Sequence, residues 1–200
     1  YKVHYKKAIS SKADIDELEK KYDAIVIGFG LGKTSMINIP GEDKENCFGA
    51  VEFVEKLRMS HHKTAVAKNV IVLGGGNTAM DAASESARMG AEKVILAYRR
   101  SKEEMGAYDF EYDLAKGVGV KGMFSVSPLE ITGNGKVTGV KFIRTKMVNG
   151  NLENVVGSEF TETCDWVIKA TGQSKQVELL KLMNGVSIDS KGRIEVNAET

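Results

Sequence analysis

Val70-Ile71-Val72-Leu73-Gly74-Gly75-Gly76-Asn77-Thr78-Ala79 is the stretch that decides how this chain is read. Four apolar residues in a row suit a strand buried on both faces, with helices expected to cover it. Three glycines then stop the strand. Residues 77–89 follow as a helix ended by Gly90, and Val94-Ile95-Leu96-Ala97-Tyr98 supplies a second buried strand. Strand, helix and strand at this spacing make a βαβ unit, which requires a parallel sheet.

The turn inside that unit carries the chemistry. Gly74-x-Gly76-x-x-Ala79 stands between a strand and a helix, the context in which such spacing signals dinucleotide binding. Gly74 permits the tight turn. Gly76 has no Cβ, so the backbone can approach a pyrophosphate lying on the helix N-terminus. Ala79 is small enough for helix and strand to pack closely. The alternative is a glycine turn without a ligand. At the end of the second strand, where an NAD site offers a carboxylate to the ribose, the chain reads Tyr98-Arg99-Arg100-Ser101. Two guanidiniums and a hydroxyl suit a 2′-phosphate, because arginine pairs with phosphate in a fork. NADPH is therefore the expected cofactor, with solvated surface arginines as the competing account.

Working outward, the pattern predicts a helix over 13–22 with Asp14 as its cap, a buried strand over 24–27 and a turn at Asn38-Ile39-Pro40-Gly41. An amphipathic helix spans 48–59. Beyond the βαβ unit come a charged helical stretch to Lys116 and strands over 120–126, 130–132 and 136–146. A hairpin at Asn149-Gly150 leads into 152–161, then a strand at Trp166-Val167-Ile168-Lys169-Ala170 and a short helix over 177–183. The fold class is α/β: a Rossmann-like three-layer nucleotide-binding domain with a central parallel sheet and an inserted antiparallel β-meander.

Composition removes other classes. Among 200 residues, 28 Lys+Arg face 27 Asp+Glu, so there is no cationic face for nucleic acid. No apolar run approaches the length of a membrane span. Two cysteines, Cys47 and Cys164, make neither a disulfide framework nor a zinc set and fit a reducing, cytoplasmic setting. Gly28-Phe29-Gly30-Leu31-Gly32-Lys33-Thr34 imitates a phosphate loop, but Ile27 stands where the first glycine is required, and Lys33 replaces the third glycine of the dinucleotide pattern. His61-His62 has no partner at metal-ligand spacing, so no metal is expected. The chain begins at Tyr1 and ends just after Arg193-Ile194-Glu195-Val196, which reads as a strand; we expect a piece of a longer protein.

From 71 to 105 the string IVLGGGNTAMDAA…GAEKVILAYRRSKEEM resembles the pyridine-nucleotide domain of the glutamate synthase small-subunit family. That family includes the N-terminal region of dihydropyrimidine dehydrogenase and the large subunit of NADH-dependent ferredoxin:NADP oxidoreductase. Asn38-Ile39-Pro40-Gly41-Glu42-Asp43 and Val167-Ile168-Lys169-Ala170-Thr171-Gly172-Gln173 resemble its crossings from and back to an FAD domain. The resemblance implies an oxidoreductase, a flavoprotein in which NADPH passes hydride to FAD and electrons continue to iron–sulfur clusters. It implies residues 1–46 as the return segment of an incomplete FAD domain, 47–175 as the NAD(P)-binding domain and 176–200 as the crossover back. It carries Gly75, Gly76, Asn77 and Thr78 to the pyrophosphate, Arg99 and Arg100 to the 2′-phosphate, and Ala170, Thr171 and Gly172 to the nicotinamide half. A large catalytic subunit or fused electron-accepting domain is the implied partner.

Gly106-Ala107-Tyr108 follow Met105 where the family commonly has proline and then arginine or a similar residue, so no third phosphate contact is carried over. Hydride transfer to a flavin needs no nucleophile or general acid, and no catalytic side chain is assigned. Two rival readings are a thioredoxin reductase-like flavoprotein, disfavoured because no CxxC precedes the fingerprint, and a non-catalytic nucleotide-sensing module or structural subunit.

Overall fold

The computed structural model describes residues 1–61, 63 and 65–197. The chain divides into two units, Lys33–Gly172 and, separately, Tyr1–Gly32 together with Gln173–Thr200.

In the smaller unit, helix α1 (Lys12–Lys21) is capped by Ser11, not Asp14. The Ser11 hydroxyl accepts from the Asp14 N–H at 3.2 Å, and the Asp14 carboxylate accepts from the Ser11 N–H at 2.9 Å. This reciprocal pair satisfies two donors that a helix start leaves open. The Ser11 hydroxyl, followed by the backbone N–H groups of Ser10 and Ser11, holds the Asp14 carboxyl below the usual carboxylate range.

The strand expected over 24–27 does not form. Ile25, Val26 and Ile27 are exposed, Val26 at 95%. An apolar run becomes a buried strand only when other strands pair with it, and among the described residues none pairs with this one. The expected helix over 177–183 contracts to a turn at Val177–Leu180, and the strand-like ending reduces to one bridge between Ile188 and Ile194.

The larger unit begins with β1 (Cys47–Gly49), where the amphipathic pattern had extended a helix. Helix α2 (Ala50–Met59) follows. The βαβ unit consists of β2 (Asn69–Leu73), α3 (Asn77–Arg88) and β3 (Lys93–Tyr98). A 3-10 turn at Lys102–Glu104 and helix α4 (Asp109–Gly117) lead to β4 (Lys121–Phe124). The meander is β5 (Val126–Thr132), β6 (Gly139–Val148), β7 (Asn151–Asn154) and β8 (Phe160–Thr163), and β9 (Trp166–Lys169) returns to the first sheet. The first sheet is parallel in the order β1-β9-β2-β3-β4; the second is antiparallel, with β5, β7 and β8 all pairing with β6.

Residues 120–126 read as one strand but serve two sheets. Ser125 sits at φ +54° between β4 and β5, and its N–H donates to the Arg100 carbonyl at 2.9 Å. The layers also correct one expectation. Alternate residues of β2 enter different cores: Val70 and Val72 pack with α2, α3 and α4, whereas Ile71 and Leu73 pack with Val126, Ile131, Val140 and Phe142 of the meander. One face of the parallel sheet is thus covered by helices and the other by the antiparallel sheet. A four-residue apolar run reports burial on both faces without saying what does the burying.

Candidate nucleotide-binding site

The site grows from the end of β2. The Gly74 N–H donates to the Ala97 carbonyl of β3 at 3.0 Å, and the Ala170 N–H donates to Leu73 at 2.8 Å, so neighbouring strand ends are tied to the turn. Gly74 is at φ +151°, and a Cβ there would collide with the Ala170 carbonyl. Gly75 is closed off by the Tyr98 ring. Gly76 differs: a Cβ would meet no protein atom within 4 Å. It is the N-cap of α3, with no side-chain cap and no acidic residue in the first turn. The helix start is therefore left open to an anion, where N–H groups and the helix dipole both favour one.

Strand order completes the geometry. From β2 the chain moves to β3 on one side and later returns as β9 on the other, which makes the crevice over these strand ends a topological switch point. A cleft of about 540 Å³ lies there. Gly74, Gly75 and Gly76 form its middle, Tyr98 and Arg99 belong to the β3 end, and Ala170 and Thr171 extend from β9. Leu73, Ala97 and Gly106 also line it, as do Met36, Ile37 and Ile39 and the start of β5 (Val126, Ser127, Pro128). Sequence marks none of Met36, Ile37, Ile39, Val126, Ser127 and Pro128 as a site residue, because they come from segments distant along the chain.

The other expected site residues stand outside this lining. Ala79 is fully buried in the helix–sheet core, as a close-packing residue must be. Asn77 is engaged by its neighbours: its Oδ1 accepts from the Tyr108 N–H at 3.1 Å. Together with the Ala107 N–H to Gly75 bond at 3.0 Å, this fastens residues 107–108 to the glycine turn. Thr78 is exposed on the first turn of α3. Arg100 is half-buried, and its Nε is buried without a hydrogen-bond partner, a group that favours an acceptor from outside the protein. Ser101 points its interactions the other way. Its N–H donates to Glu104 at 3.2 Å, and the Glu103 carboxyl is held low by its own N–H and then by the Ser101 side chain. A phosphate reaching Ser101 would have to displace that contact. Gly172, at φ +109°, accepts from the Ser35 N–H at 2.9 Å.

The cysteines sit elsewhere. Burial pushes the Cys47 thiol up and the Cys164 thiol up to about 12, so neither is primed as a nucleophile. Among the described residues, no three His, Cys, Asp or Glu side chains group as a metal site, and no helix is long and apolar enough to cross a membrane. His62 lies outside the described residues.

Residues 2–200 match the family described as pyridine nucleotide-disulphide oxidoreductase. The chain belongs to that family. Within it, the chain is 36% identical over 205 residues to the glutamate synthase [NADPH] small chain of Escherichia coli (strain K12), covering 93% of this chain and 43% of the relative. It is 34% identical over 197 residues to the NADPH-Fe(3+) oxidoreductase subunit beta of Geobacter sulfurreducens, covering 93% and 29%. The chain thus spans less than half the length of these relatives. Among solved structures, Mycobacterium tuberculosis FprA in complex with NADPH superposes with a TM-score of 0.65 at 18% identity, over 88% of this chain and 54% of that one. Thioredoxin reductase from T. acidophilum gives 0.64 at 21% identity, over 84% and 50%. The fold is that of this family's nucleotide-binding oxidoreductases, and the resemblance to the glutamate synthase small chain holds over nearly the whole chain.

Proposed function

We propose that this chain is the NADPH-binding part of a glutamate synthase-like flavin oxidoreductase. One observation carries the reading: a single cleft joins an open glycine turn, an arginine at the end of β3 and the small residues that follow β9. The 2′-phosphate end of the nucleotide lies against Arg99 and the unpartnered Arg100 nitrogen, since the ribose nearest the adenine belongs at the end of the second strand. The pyrophosphate crosses Gly76 and the uncapped start of α3, with Gly75, Asn77 and Thr78 beside it. The nicotinamide half reaches Ala170, Thr171 and Gly172, where small side chains or none leave room for a flat ring. When bound, NADPH supplies a hydride for a flavin. The protein's share is to hold the two ends of the nucleotide and keep the ring oriented.

In the full-length protein we assign FAD as the hydride acceptor, iron–sulfur clusters as the next carriers and a large catalytic subunit or fused domain as the partner, in the cytoplasm. The names of the relatives support the NADPH link and a partner subunit, one being a small chain and the other a subunit beta. The thioredoxin reductase-like alternative shares the fold, yet Cys47 and Cys164 are far apart in sequence with both thiols pushed up. The test is to purify the full-length protein and mix it anaerobically with NADPH. Loss of a flavin absorbance band at a rate that saturates with NADPH is the expected result. A protein with no flavin band would instead favour a nucleotide-sensing module.

A further inference from the structure

The larger unit buries an ion pair directly behind the cleft. Lys169 Nζ lies 3.2 Å from Glu42 Oε2, and both side chains are only 7% exposed. Lys169 is the last residue of β9, adjacent to Ala170 and Thr171, which line the cleft. Glu42 faces the other way as well: its Oε2 accepts from the Ile37 N–H and its Oε1 from the Asn38 N–H, each at 2.9 Å. Met36, Ile37 and Ile39 are cleft wall, and the Met36 sulfur is 3.8 Å from Lys169 Nζ. One carboxylate therefore joins the wall to the end of β9.

This segment needs holding. Asn38 sits at φ +58° and Gly41 at φ +81°, in the left-handed region that most residues avoid. No regular ladder runs through residues 36–41, so Glu42 and the Ile131 N–H, which donates to Pro40 at 2.9 Å, supply its fixed points. A buried ion pair is seldom a net source of stability, because well-packed apolar residues of the same volume serve as well or better. What such a pair does provide is a fixed geometry between two chain segments.

We propose that the Glu42–Lys169 pair is a positioning device that pins the 36–39 wall to the end of β9 and so sets the slot for the nicotinamide ring. The proposal rests on the NADPH reading. It makes Glu42 and Lys169 positioning residues that touch no ligand, and it separates the two ends of the cleft. The β3 end, with Arg99, depends on neither residue.

The experiment compares this chain with a Glu42→Gln/Lys169→Met double variant, which removes both charges together and leaves neither buried alone. Calorimetry is run with NADPH and with adenosine 2′,5′-bisphosphate, which has the 2′-phosphate end but no nicotinamide. Hydrogen exchange is followed at the Ile37 and Asn38 amides. The expected result is faster exchange at those amides and NADPH binding weakened about ten- to hundredfold, the scale on which a displaced wall degrades a bound geometry. Bisphosphate affinity stays within about twofold. Equal loss for both ligands, or no loss for either, overturns the proposal. If the double variant does not melt cooperatively, Lys169→Met alone decides by the same ratio, since it keeps both Glu42 bonds to the wall and cuts only the tie to β9. If the unmodified chain binds neither ligand, the NADPH reading fails and takes the nicotinamide slot with it. The exchange rates then still decide whether the pair holds the wall.

Discussion

Gly76 and Gly74 stand two residues apart and carry opposite expectations. At Gly76, φ is −102° and a Cβ would meet open space, so Gly76→Ala should cost about 1 kcal/mol or less, the scale of exchanging glycine for alanine at an N-cap. The same methyl would stand where a pyrophosphate must come close, so NADPH binding should fall while the melting curve barely moves. Gly74→Ala should instead lower the melting temperature, through its positive φ and the clash with Ala170. Glu42 adds a pH dependence. Burial raises its carboxyl, but the N–H groups of Ile37 and Asn38 and the Lys169 ammonium outweigh that and leave it below the usual range. A carboxyl depressed in the folded state stabilises the protein above its unfolded value of about 4.3, and that stability is lost as pH falls through the depressed folded value. Acid titrations of stability should therefore be shallower in Glu42→Gln. The glycine turn and the arginine pair could be proposed from sequence because their residues are contiguous in it. The Glu42–Lys169 pair was not, although a lysine inside Trp166-Val167-Ile168-Lys169-Ala170 was a signal that a buried partner existed.

Among the elements, β9 bears the most, since it pairs with β1 on one side and β2 on the other and ends at the cleft. Ile168 at its centre has 0% exposure and packs among Val70, Val72, Phe53 and Leu57. Ile168→Ala should cost about 2–5 kcal/mol by denaturant titration, the usual range for a large apolar residue truncated in a packed core. The elements that sequence misplaced have physical causes in common. Residues 24–27 have the composition of a buried strand but no pairing partner among the described residues. Cys47–Gly49 extends a helical pattern yet pairs with β9, because hydrogen bonds to a sheet edge outweigh a three-residue periodicity. Residues 120–126 look continuous, and only the left-handed Ser125 divides them between two sheets. Long periodic segments such as α3 were readable because burial and period agreed along their length.

For the molecule as a whole, the near-neutral charge and two thiols that burial pushes up leave the cleft as the feature that distinguishes it. Cys164 should react slowly with a thiol reagent in the native state and rapidly after unfolding; fast native labelling of Cys164 would contradict its burial. The central claim is that this cleft selects NADPH, and calorimetric titration of the chain with NADPH and with NADH tests it most directly. Two charge-assisted contacts to the 2′-phosphate predict a preference of about 2–4 kcal/mol, or about 30- to 1,000-fold, that is reduced in Arg99→Ala. Equal affinity for the two nucleotides, unchanged by Arg99→Ala, would contradict the account.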